Sequence, residues 1–154
     1  MLRIISLLSV VTLSASFNVP SSAPKPSATL SPLDVVQSQM TALQQGNVQR
    51  CFEFASPNNK KATGPWQRFE MMVRQTPAYA PLVSCSSFEI VSALTFSETQ
   101  WRCRVLVRPA GGSSAPAGVA SPILYYNWMV SKQTEDPVEG FWMVDSVMPE
   151  MAEP

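Results

Sequence analysis

The apolar residues of this chain change their period part-way along, and that change decides the architecture. From Ser31 to about Arg74 they recur at helical spacing; from Phe88 onward they alternate at every second residue. Helices followed by a run of strands cannot build the βαβ order of a parallel sheet. Consecutive strands pair instead as antiparallel hairpins, and the helices cover one face of that sheet. The expected fold class is therefore α+β, with three N-terminal helices packed on an antiparallel sheet of about four strands.

The helical half is well punctuated. Ser31 is a capping residue, Pro32 suits the first helical position, and Asp34 follows where a negative charge favours the helix dipole. Leu33, Val36, Met40 and Leu43 form an apolar stripe, and Gly46 is placed to end the helix in the left-handed conformation. Asn47 then caps a second helix from Val48 to Ala55, with Val48, Cys51, Phe52 and Ala55 facing inward and Ser56-Pro57 closing it. Asn58 to Gly64 reads as a loop. Pro65 opens a third helix to about Arg74, with Trp66, Phe69, Met72 and Val73 on its apolar face.

In the strand half, Phe88, Ile90, Ser92, Leu94 and Phe96 alternate along a first strand, and Ser97-Glu98-Thr99 links it to a second. There Trp101, Cys103, Val105 and Val107 face one way and Arg102, Arg104 and Arg108 the other, as in a half-buried hairpin. Pro109 to Pro122 is a long low-complexity loop. Ile123 to Lys132 is apolar on both faces around Tyr125, Tyr126 and Trp128, which places it centrally in the sheet, and Phe141 to Val147 is the last strand.

The first thirty residues differ from all of this. Arg3 precedes an apolar run, Ile4 to Leu13, too short to cross a bilayer, which takes about 20 residues. Ala15 and Ser16 are small residues where a signal peptidase cuts, so residues 1–16 read as a signal peptide. Residues 17–30 are rich in Ser, Pro and Ala and carry no acid, as in organelle transit peptides. The junction Ser14-Ala15-Ser16-Phe17 resembles the cleavage junction of algae whose plastids lie within the endomembrane system. The expectation is a plastid protein of such an alga with a single domain at residues 31–150 and no membrane span in its mature form; the alternative is plain secretion.

Composition excludes several chemistries. The chain of 154 residues has no histidine, so neither a Ser-His-Asp nor a Cys-His nucleophile is available, and His-bearing zinc sites are absent. Cys51, Cys85 and Cys103 are too far apart for a CxxC pair; they read as buried apolar residues, or as one disulfide with a leftover thiol. Eleven basic residues balance eleven acidic ones, which gives no broad attraction to nucleic acid. Gly111-Gly112 lacks the Lys-Ser/Thr that a phosphate loop requires. No cofactor, nucleotide or transition metal is expected.

Several segments carry a resemblance: Phe54-Ala55-Ser56-Pro57, Thr63-Gly64-Pro65, Arg68-Phe69, Met72-Val73, Tyr79, Leu82, Tyr126-x-Trp128, Gln133 and Trp142 to Val147. They are similar to an uncharacterised family of plastid-bearing organisms with bacterial relatives, within the nuclear-transport-factor-2-like (SnoaL-like) superfamily. The likeness runs from about Ser31 to Pro149. It implies a cone, or cystatin-like roll, with a pocket between the helices and the concave face of a curved sheet. It implies no activity.

Some members of that superfamily transfer protons with a pocket Asp and a Tyr donor. Here Asp145 alternates with Phe141, Met143 and Val147, which would turn it inward, and Tyr126 or Tyr79 is the matching oxyanion donor. The competing expectations leave Asp145 facing solvent at a strand edge or pair it with Arg68 in a buried ion pair, in which case Asp145→Asn costs roughly 1–3 kcal/mol. Trp66, Phe69, Met72, Trp101, Cys103, Trp128 and Trp142 are the expected lining of an apolar pocket, with ordinary core packing as the alternative. Three functions remain: a non-catalytic module binding a small apolar ligand or a protein partner, a dimeric assembly factor without ligand, and a lyase or isomerase.

Overall fold

The computed structural model describes residues 24–111 and 122–151. The expected signal peptide, the start of the transit-like segment and most of the Pro109–Pro122 loop lie outside the described residues. The element order is α1 (Pro32–Gln44), α2 (Val48–Glu53), α3 (Pro57–Thr63), α4 (Trp66–Gln75), a 3-10 turn (Ala80–Leu82), then β1 (Ser87–Ser97), β2 (Gln100–Arg108), β3 (Leu124–Lys132) and β4 (Trp142–Pro149). The strands form one antiparallel sheet in the order β1-β2-β3-β4. The chain is thus α+β, helices followed by a curved four-stranded sheet, with β3 in the interior of the sheet as its double-faced apolarity requires. No helix among the described residues is long and apolar enough to cross a membrane.

Local signals account for the helix ends. Ser31 Oγ accepts from the Asp34 N–H at 3.1 Å while the Asp34 carboxylate accepts from the Ser31 N–H at 3.0 Å, a reciprocal cap. At the other end Gly46 has φ +72, and the pair of bonds Gly46 N–H to Leu43 and Asn47 N–H to Ala42 closes α1. The buried face of α1 carries Val35, Val36, Gln39, Met40 and Leu43, whereas Leu33, expected inside, is exposed. Where a loop was expected at Asn58 to Gly64, α3 stands. Ser56 and Pro57 do not close α2 but start α3, Ser56 Oγ accepting from the Asn59 N–H at 3.3 Å. No residue of α3 is buried, so it has no apolar period by which to be recognised.

The helices close over one face of the sheet. Val36, Met40, Phe54, Val105, Val107, Tyr126, Trp128, Val130 and Val144 share the core, and Cys51, Cys85 and Cys103 are buried as free thiols. The expected facing of β2 holds: Trp101, Cys103, Val105 and Val107 are buried, and Arg104 on the other face pairs with Glu150 at 2.6 Å.

Two bulges change the expected alternation of β1. Phe88 and Ile90 sit opposite Val107 and Val105, but beyond the extra residue Val91 the strand turns over, and Ser92 and Leu94 lie opposite Arg104 and Arg102 on the outer face. Beyond β4, the chain between α2 and α3 docks on the strand: the Val144 N–H donates to Phe54 O and the Ser56 N–H to Val144 O, both at 2.8 Å, in a parallel bridge.

Candidate functional site

Between α4 and β4 lies a cavity of about 260 Å³. α4 is amphipathic yet buries only Val73 fully; it packs on α2, α3 and the 3-10 turn and stands off the sheet. Its inner face, Phe69, Met72 and Val73, forms one wall; Leu43 and Trp128 contribute to the floor, and the β4 stretch from Val144 to Met148 forms the opposite wall. Met72 and Asp145 line the cavity and are exposed, so it opens to solvent.

The polar groups of the cavity are mostly committed. Trp128 Nε1 donates to Gln39 Oε1 at 2.7 Å, and Gln39 Nε2 donates to the Cys51 carbonyl at 3.2 Å. Tyr79 Oη donates to Val147 O at 3.1 Å. Asn59 Nδ2 donates to Val144 O at 3.1 Å, tying α3 to the β4 wall. Burial pushes the Cys51 thiol far up from its ordinary range, so it is no nucleophile.

Of the expected lining residues, Phe69, Met72 and Trp128 line this cavity. Trp101 and Cys103 are buried in the core beside it, Trp142 packs against the core from the strand start, and Trp66 is half-buried on α4; none of the four lines the cavity. Tyr79 reaches the lining, while Tyr126 is buried below it with its hydroxyl donating to Ala78 O at 2.8 Å. Burial raises the Tyr126 phenol to about 12.

The inward and ion-paired expectations for Asp145 are corrected, and the solvent-facing alternative agrees with the structure. The residue is exposed, because β4 does not alternate regularly: Met129 faces Ser146 and Val130 faces Val144, so Asp145 is the extra residue of a bulge. The residues facing the core are Trp142 and Val144 before the bulge and Val147 after it. Arg68 is exposed on α4 and its guanidinium reaches the Ala62 carbonyl at 3.5 Å, and the Arg68–Asp145 ion pair is not formed. The Asp145 side chain makes no hydrogen bond or ion pair among the described residues, and it sits at the cavity rim, where it is the single charged residue of the lining.

Gln39 is the site residue that sequence reasoning missed. Its signal was present, since it lies among Val36, Met40 and Leu43 on the helical stripe, where an amide is buried only with partners. Asn59 and Thr63 were missed with α3 itself.

Two solved structures share the architecture. An NTF-2 like protein of unknown function from Shewanella oneidensis superposes with a TM-score of 0.52 at 11% identity, over 76% of this chain and 93% of that one. A SEC-C motif containing protein from Rhodopseudomonas palustris gives a TM-score of 0.52 at 10% identity, over 80% of each chain. At such identities the likeness is one of fold. No curated protein matches the chain. The sequence profile of the family described as Domain of unknown function (DUF4864) matches residues 28–120, from the approach to α1 through β2, which is more than half of the sequence. The chain belongs to that family.

Proposed function

We propose that this domain is a non-catalytic binding module whose cavity takes a small apolar ligand. The observation that supports this is the cavity between α4 and β4, walled by Phe69, Met72, Leu43 and Trp128 and open at its rim. The isomerase alternative fits poorly. It needs a carboxylate held away from water and a phenol free to donate, whereas Asp145 is exposed and Tyr79 and Tyr126 both donate to backbone carbonyls. The test is titration with a dye that fluoresces in apolar surroundings, on the wild type and on Met72→Trp, which fills the mouth from an exposed position. Saturable binding by the wild type, weakened at least tenfold by the substitution, is expected; no saturable binding would refute the reading.

A dimer is the second reading, favoured by Leu94 and Phe96, which are 57% and 52% exposed on the bulged strand β1. Sedimentation of the wild type and Leu94→Glu distinguishes the two. A monomer in both cases removes the dimer.

The leader composition further supports import into the plastid of an alga with an endomembrane-enclosed organelle. Fusion of residues 1–30 to a fluorescent protein tests this, and label in the medium would favour secretion.

A further inference from the structure

The cavity's charge distribution says what kind of apolar molecule it would hold, and this step rests on the cavity being a binding site. Its lining contains one charged residue, Asp145, and no lysine or arginine. Three basic side chains on α3 and α4 are engaged elsewhere: Lys60 Nζ donates to Glu53 O at 3.0 Å, Arg68 reaches Ala62 O, and Arg74 bonds Glu70 at 3.0 Å and the Gly46 carbonyl at 3.1 Å; Lys61 on α3 forms no ion pair with Asp145. No cation among the described residues neutralises the carboxylate at the rim.

The position of that carboxylate is held by the backbone. Asp145 is the inserted residue of the β4 bulge, and the carbonyl just before it, Val144 O, accepts from both the Ser56 N–H and Asn59 Nδ2. Bulges commonly re-aim a side chain beside a site. Here the α2–α3 connection and α3 hold the backbone just before the bulge, which keeps Asp145 at the cavity rim.

The donors deeper in the cavity cannot serve an anionic head. The Trp128 indole N–H is bound to Gln39, the Gln39 amide to Cys51 O and the Tyr79 hydroxyl to Val147 O. The Thr76 and Ser146 hydroxyls also line the cavity, but an anion there would lie in a lining whose single charge is the Asp145 carboxylate, without a positive counter-charge. The volume of about 260 Å³ is small for a ligand pocket.

We infer that the cavity is selective for small aryl-alkyl ammonium ions, the ring lying between Phe69, Met72 and Trp128 and the ammonium group at the rim beside Asp145. Because Asp145 is exposed, its attraction is modest: a roughly two- to five-fold preference over a neutral isostere, declining with salt.

The experiment is calorimetric titration of the intact domain with three probes of matched shape: 2-phenylethylammonium, 2-phenylethanol and phenylacetate. Expected is the order ammonium, then alcohol, then carboxylate. Asp145→Asn should bring the ammonium level with the alcohol, and Asp145→Lys should invert the order. Equal binding of all three probes, or an ammonium preference that survives Asp145→Asn, overturns the inference and leaves the apolar cavity standing. Failure of all three to bind, with the apolar dye still saturating, likewise overturns it alone; failure of dye and probes together removes the binding-site reading beneath it.

Discussion

Trp128 and Gln39 hold the sheet to the first helix through one buried hydrogen bond, indole N–H to amide oxygen at 2.7 Å, with Gln39 continuing to the Cys51 carbonyl on α2. Three elements therefore meet on one amide. Gln39→Leu leaves both the indole N–H and the Cys51 carbonyl without that partner, at an expected cost of about 2–3 kcal/mol. Urea unfolding checks this, and Trp128→Phe combined with Gln39→Leu should cost less than the sum of the two single changes.

Asp145→Asn is expected to leave stability within about 0.5 kcal/mol of the wild type, as for an exposed residue without a partner. A thermal melt decides it. A loss of more than about 1 kcal/mol would instead favour the buried ion pair with Arg68.

Stability should decline above about pH 9. Burial holds the Cys103 thiol at about 12 against an ordinary 9.0, and the Tyr126 phenol at about 12 against 10.0. Both groups stay protonated in the folded state while the unfolded chain ionises, so their contribution is whole below about pH 9 and is lost as pH rises toward about 12. The buried Cys51 and Cys85 thiols are raised in the same direction and add to the decline; unfolding midpoints at pH 8, 9.5 and 11 measure it, and Cys103→Ala, which removes one of the four groups, should make it less steep. A flat profile in the wild type would count against it.

The reciprocal cap of α1 predicts an acid-side effect. Hydrogen bonding from Ser31 holds the Asp34 carboxyl below its ordinary 3.8. A lowered folded pKa gives stability that is present above about pH 4 and lost as pH falls through the folded value. Ser31→Ala should cost about 1 kcal/mol at neutral pH and less at pH 3, by the same melts.

Much of the fold was legible because caps and periods are local. Ser31, Pro32, Gly46 and Asn47 mark α1 and α2 through chemistry within a few residues of each, and the alternation of Trp101 to Val107 needs only a pleat and one wet face. The failures share a cause. Bulges at Val91 and Asp145 each insert one residue and reverse the facing of the residues beyond, and no local property of Ser92 or Asp145 announces it. α3 escaped because it has no buried side, and Ser56-Pro57 serves equally as an ending and a beginning. For the cavity, residue types were legible and neighbours were not: Phe69, Met72 and Trp128 meet across the fold, while Trp66 and Trp142, equally aromatic, fall elsewhere.

The bridge between Ala55 and Val144 has a consequence for synthesis. A ribosome delivers the helices first, yet the wall that completes their cavity and the carbonyl that anchors Asn59 belong to the last strand made. Until that strand leaves the exit tunnel, Phe69 and Met72 face an unfinished hollow and β3 an open flank. The helical half of the nascent domain is thus made before the strand that completes its packing, and the cavity closes only once β4 is available.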